Sequence, residues 1–175
     1  MGRWRPPQVR GSNYITPEGF ERLKQELDGL WKKRRKVTVI LSAAAAEGDR
    51  SENAEYIYRK KQLREIDRRI RYLQKRLDEL IAVDHKPSDE NTIYFGAWVT
   101  LEDIEENEYV YRIVGPDEFD YDKRYISMDS PVAKALMKKS TDDEVIIKLP
   151  QSQQQYCILK IQYTPPNSDS NSAKK

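Results

Sequence analysis

The sequence predicts an α + (α+β) architecture, in which an antiparallel coiled-coil hairpin precedes a small domain built from an antiparallel sheet and one short helix. Three observations carry this expectation. Two heptad seams of equal length flank residues 45–55, the periodicity turns to strand near residue 92, and the charge reverses sign between the two halves of the chain.

Residues 1–13 are basic and proline-bearing, with Trp4 among arginines, and read as a flexible arm. Order is expected from Ile15. Thr16 is a candidate N-cap, Pro17 suits the first helical position, and Ile15 can pack on Phe20 as a hydrophobic staple. The first seam runs through Phe20, Leu23, Leu27, Leu30, Arg34, Val37, Leu41 and Ala44. The second runs through Tyr56, Arg59, Leu63, Ile66, Ile70, Leu73, Leu77 and Leu80. Each would extend ~36 Å at a rise of about 1.5 Å per residue. Folding back at the tip sets Ala44 near Tyr56, Leu41 near Arg59, Val37 near Leu63 and Arg34 near Ile66. The two seam arginines cost stability but can hold register. The hairpin is expected over residues 14–83, with Pro87 closing the second helix and residues 84–91 (DHKPSDEN) forming a linker.

Beyond the linker, residues 92–101 (TIYFGAWVTL) and 109–114 (YVYRIV) are rich in β-branched and aromatic side chains and read as strands. A third strand is expected near 124–128. Ser130 then caps a short helix opened by Pro131 and reaching Lys139, and strands at 144–149 and 156–164 complete a domain over residues 92–164. Residues 165–175 (PPNSDSNSAKK) have the composition of a disordered tail.

Residues 1–83 hold 20 Lys/Arg against 12 Asp/Glu, whereas 84–175 hold 11 against 17, a balance of +8 followed by −6. The basic half suits a polyanion and the acidic half a protein surface. Nucleic acid is favoured over membrane, because no apolar run approaches the ~20 residues that span a bilayer and the first residues lack the apolar core of a signal peptide. The expected location is cytoplasmic. With Cys157 the one cysteine and His85 the one histidine, an internal disulfide and a Cys/His zinc site are both excluded. Metal chemistry would have to use carboxylates.

The segment between the seams, EGDRSENAEY at 47–56, offers such a set. Asp49 can serve as an N-cap after the helix-stopping Gly48, with Glu52 completing a capping box. Alternatively, carboxylates three residues apart on a turn can converge on one cation. Mg²⁺ prefers oxygen ligands and retains waters, so such a site would be weak unless a partner completed it. The two roles are compatible. On the second helix Lys61, Arg64, Arg68, Arg71 and Lys75, with Lys60 beside them, lie off the apolar seam as a basic stripe. A solvated face explains such a stripe, and so does salt-sensitive attraction to RNA phosphates, with non-specific DNA binding as a by-product.

These residues have a counterpart. GDRSENAEY at 48–56 resembles the signature of the Gre transcript-cleavage factors, and YRKKQLREIDRRIRYL after it resembles the GreB branch of that family. FGAWV at 95–99, YRIVGPDE at 111–118 and ISMDSPVAKALMKK at 126–139 are similar to the family's second domain, so that the likeness covers residues 14–164 in order and spacing. The resemblance implies an FKBP-like C-terminal domain that docks on RNA polymerase at the rim of its secondary channel, through a segment matching Asp129, Ser130 and Pro131. It implies a coiled coil inserted down that channel. Asp49 and Glu52 would then help hold Mg²⁺ and a water in the polymerase active site, where backtracked RNA is cut. The factor would stimulate the polymerase and would not itself be an enzyme. Three other readings compete: a channel-binding regulator without cleavage, a prolyl isomerase built on the second domain, and a generic RNA-binding coiled coil. Retention of both Asp49 and Glu52 argues against the first, and fold likeness is poor evidence for the second.

Overall fold

The computed structural model describes residues 11–46, 53–84, 87–149 and 152–166. They fall into two compact units. One is Glu18–Leu80; the other joins the described residues up to Pro17 with those from Ile81 onward.

The first unit is the helical hairpin, formed by α1 (Pro17–Ala46) and α2 (Ala54–Glu79). Every position of both heptad seams is buried or half-buried. Val37, Ile66 and Ile70 form the buried centre, with Leu27, Leu30 and Leu63 packed around them. Polar contacts across the helices fix the register. Arg34 Nε donates to Asp67 Oδ1 at 2.7 Å, and Arg69 grips both oxygens of Glu26 at 2.7 and 2.9 Å. Of the two seam arginines, Arg34 thus crosses to the facing helix, while Arg59 reaches Glu55 and Gln62 on its own. Such a narrow rod buries few residues completely, and these pairs specify how its helices align.

The second unit begins with β1 (Tyr14–Ile15), which pairs in parallel with β2 (Ile81–Ala82). The segment ahead of α1 therefore packs with the sheet unit, whereas the sequence places residues 14–17 with the hairpin. A two-residue strand has no periodicity from which this could be read. The main sheet has the order β5-β4-β3-β7-β6, formed by β3 (Trp98–Asp103), β4 (Glu108–Val114), β5 (Tyr125–Ser127), β6 (Glu144–Leu149) and β7 (Ser152–Gln162). The sheet is mixed. Its ladders are antiparallel except β4–β5, which is parallel because the chain between them crosses over through the loop at 115–124 instead of making a hairpin. The strand expected from residue 92 starts only at Trp98, since Gly96 takes φ +86° and a tight turn carries Ala97 N back to Tyr94 O. Such a φ is open to glycine at no steric cost. α3 (Pro131–Leu136) stops before Lys139 because Lys138 adopts φ 65° and donates to Ile93 O.

Ala133 and Leu136 of α3 cover a core of Ile93, Val99, Leu101, Ile113, Val145 and Ile158. At the β5 edge Arg112 lies over both Trp98 and Tyr125, at 5.6 and 5.5 Å, and Arg124 lies over Trp98 at 5.0 Å. These cation–π contacts hold a three-residue edge strand that has few backbone bonds of its own. Hydrogen bonds from the Arg124 side chain and backbone hold the Asp122 carboxyl down at about 2. A depressed value of this kind contributes stability above the ordinary carboxylate range, and the contribution fades as pH falls toward about 2.

Candidate functional site

The tip of the hairpin is framed by two helix ends. α1 closes on Ala44, Ala45 and Ala46, and α2 opens at Ala54. Asp49 and Glu52 lie outside the described residues. The described flanks nevertheless correct one expectation. The N-cap of α2 is Asn53, whose side chain accepts from Tyr56 N at 3.0 Å, so this helix does not use Asp49 and Glu52 as a capping box. Asn and Asp cap about equally well, and a local pattern with both types within four residues leaves the choice open. Asn53 thus fills the N-cap position of α2 that the sequence also offered to Asp49.

Among the described residues no group of three His, Cys, Asp or Glu is placed to hold a metal ion. Glu55, in the first turn of α2, is engaged by Arg59 at 3.2 Å. The donors this tip can offer are carboxylate oxygens, which fit a hard cation such as Mg²⁺, and the remaining ligands would have to come from elsewhere.

Lys60, Lys61, Arg64, Arg68, Arg71 and Lys75 are all exposed on α2. Lys60 rests over the Tyr56 ring at 5.5 Å. Among the described residues the ion pairs of the hairpin draw on other cations, notably Arg34, Arg59, Arg69 and Arg76. Asp67, which by sequence stands ready to neutralise the stripe, is instead taken across the hairpin by Arg34. Of the two acids the sequence offers against the stripe, Glu65 remains exposed beside it on α2 and Asp67 is drawn to the facing helix. Sequence reasoning passed over a second source of charge on α1, where Lys32, Lys33, Arg35 and Lys36 are also exposed. The run WKKRRK at 31–36 was the available signal. Lys33 and Lys61 border one hollow of about 360 Å³ between the helices, beside Tyr58 and floored by Leu30 and Ile66.

The segment at 129–131 splits by role. Both oxygens of Asp129 accept from Ser12, one from its backbone N–H at 2.8 Å and one from its hydroxyl. Ser130 caps α3, its Oγ accepting from Ala133 N at 3.1 Å. Pro131 occupies the first turn of that helix and is exposed. Asp129 thus ties this segment to Ser12 and Ser130 caps α3, both half-buried, while Pro131 is exposed. Among the described residues no helix is long and apolar enough to cross a membrane.

Two family models match the chain: "Transcription elongation factor, N-terminal" over residues 13–81, and "Transcription elongation factor, GreA/GreB, C-term" over residues 87–163. The chain is similar to transcription elongation factor GreB of Xanthomonas axonopodis pv. citri, at 56% identity over 93% of this chain and 98% of that protein. The corresponding values for GreB of Pseudomonas aeruginosa are 54%, 94% and 99%. For GreB of Yersinia pestis they are 55%, 90% and 93%. With both units matched in order and the likeness running nearly end to end, this chain belongs to the GreA/GreB family of transcription elongation factors and is of the GreB type.

Proposed function

We propose that this factor enters the secondary channel of bacterial RNA polymerase hairpin first and stimulates the polymerase's own endonucleolytic cleavage of backtracked RNA, releasing arrested complexes in the cytoplasm. The observation that carries the reading is the pairing of a slender two-helix rod with a tip whose sequence is acidic at Asp49 and Glu52 and whose second helix is capped by Asn53. In this reading the two carboxylates ligate and orient on the polymerase side of the complex, and alone they form no stable site. A bound Mg²⁺ would supply charge neutralisation at the scissile phosphate and acidify a water. The stripe from Lys60 to Lys75 attracts the phosphates of the extruded RNA, with weak sequence-independent attraction to DNA as a consequence. The sheet unit docks on the polymerase through the segment Asp129, Ser130 and Pro131, of which Pro131 is exposed. The experiment that tests the whole is incubation of a stalled, 5′-end-labelled elongation complex with the purified factor and Mg²⁺. Shortened transcripts that resume elongation are expected. Slowed extension without shortening would leave a channel-binding regulator, and affinity for free RNA alone a generic RNA binder.

Two variants dissect the parts. Changing Arg64 and Arg68 together to Glu is expected to lower cleavage of long backtracked segments about tenfold at low salt, to spare short ones, and to flatten the salt dependence. An equal loss at all lengths would point to damaged docking. Pro131→Glu is expected to weaken retention by polymerase about tenfold in a pull-down while helix content is unchanged, since Pro131 is exposed and the cap at Ser130 is kept. Unchanged retention would remove Pro131 from the docking surface.

A further inference from the structure

One side chain ties together the two helix ends that frame the tip. Asn53 Oδ1 accepts from Tyr56 N at 3.0 Å and caps α2, while Asn53 Nδ2 donates to Ala44 O at 3.1 Å in the last turn of α1. Carbonyls in the last turn of a helix have no intrahelical partner, so the bond to Ala44 satisfies a group that α1 cannot satisfy by itself. Ala44 is 5% exposed and Asn53 half-buried, which limits replacement of this donor by water. Asp and Ser cap helices as well as Asn does. Only the amide combines a cap acceptor with a donor long enough to reach the other helix, so it is the bond to Ala44 that calls for Asn here.

We propose that Asn53 is a positioning residue for transcript cleavage: by clamping α1 to α2 it fixes the two points between which the segment bearing Asp49 and Glu52 is held. The proposal rests on the reading of those acids given above. Two carboxylates acting on one centre need their relative placement held closely, and a misplacement of about 1 Å can cost on the order of 10²-fold in rate. The clamp acts at both ends of the segment at once, which a cap on α2 alone would not do.

The test uses the full-length factor as wild type, Asn53→Ser and Asn53→Asp. Both substitutions keep a cap acceptor and lose the donor to Ala44, and Ser adds no charge. Single-turnover cleavage of a backtracked transcript is followed over a range of factor concentrations, with helix content measured alongside. The maximal rate is expected to fall at least tenfold in both variants, while the concentration giving half-maximal cleavage and the helix content stay within twofold. Rates within twofold of wild type in both variants would overturn the proposal. So would a loss confined to Asn53→Asp, which would trace to its added charge, or a rise in the half-maximal concentration in step with lost helix, which would make Asn53 a cap and nothing more. A wild-type factor that yields no cleavage overturns the reading of Asp49 and Glu52 itself, an outcome distinct from an active wild type with equally active variants.

Discussion

Replacing Asp49 by Asn is expected to lower transcript cleavage by about 10²-fold while the hairpin stays folded and still competes for the polymerase channel. If Asp49 were needed only to cap a helix, Asn would serve as well, because it keeps a side-chain oxygen for the backbone. The N-cap of α2 is in any case Asn53. What it removes is a negative charge, which a hard divalent cation requires of its ligands, and loss of a metal-orienting or charge-stabilising group commonly costs about 10- to 10³-fold. Glu52→Gln is the companion variant, isosteric and equally uncharged. Raising Mg²⁺ should restore part of the rate in either variant if occupancy is what failed. Single-turnover cleavage across a Mg²⁺ series, with binding followed in parallel, decides the matter. Near-normal rates for both amides would transfer the chemistry wholly to the polymerase.

Glu118→Ala is expected to destabilise the sheet unit by about 3 kcal/mol, on the scale of leaving buried donors without acceptors. Glu118 is 1% exposed. Its carboxylate accepts from Gly115 N at 3.0 Å, from Thr16 N at 3.0 Å and from the Thr16 hydroxyl, joining the loop after β4 to the residue that follows β1. Truncation removes the carboxylate acceptor of two buried backbone N–H groups at once. Nor can the site close up around the loss, because Gly115 already sits so near the chain that a Cβ there would lie 2.2 Å from Tyr14 O. The unfolding midpoint should drop on the order of 10 °C for a unit of this size. Trp98 is buried in the sheet unit, which makes its fluorescence the appropriate probe. Glu118→Gln retains one acceptor and should lose less. A drop below about 3 °C for the Ala variant would mean that water replaces the carboxylate.

The hairpin was legible because its signal is repeated: each heptad of Leu, Ile and Val restates the same face, and the register that follows from it brings Val37 to Leu63 and Ile66. The strands were legible where β-branched runs are uninterrupted, as at 144–149, which matches β6. Features that depend on one contact were not. Nothing in NAEY distinguishes Asn53 as the cap from Asp49 four residues earlier. Nothing in SNYIT announces that Tyr14 and Ile15 pair with Ile81 and Ala82, because strand pairing at long range leaves no local pattern. Gly96 looked like one more residue in an apolar strand until its positive φ broke the strand there. The basic stripe could be read off helical spacing, but the turning of Asp67 away from it toward Arg34 could not, since that is a contact between the two helices. Asp129 likewise stood out in the sequence as part of a surface motif, while its partner Ser12 is more than a hundred residues away.

The ladder between β1 and β2 gives the molecule the topology of an insertion. The chain leaves the sheet unit after Pro17 and re-enters it at Ile81, and the strands on either side of the excursion are hydrogen-bonded to one another, Ile81 N to Asn13 O at 2.8 Å and Val83 N to Ile15 O at 2.9 Å. A host unit sewn shut in this way does not register how long the excursion between its stitches is. Whole heptads could be added to or removed from both helices in register, changing the reach of the rod by about 10 Å for each pair. The host would keep every one of its own bonds. The length of the rod is therefore open to adjustment without change to the sheet unit's own bonds. Conversely, a fragment cut at residue 81 to isolate the sheet unit would lose Ser12, Ile15 and Thr16, leaving Asp129 and Glu118 without these partners.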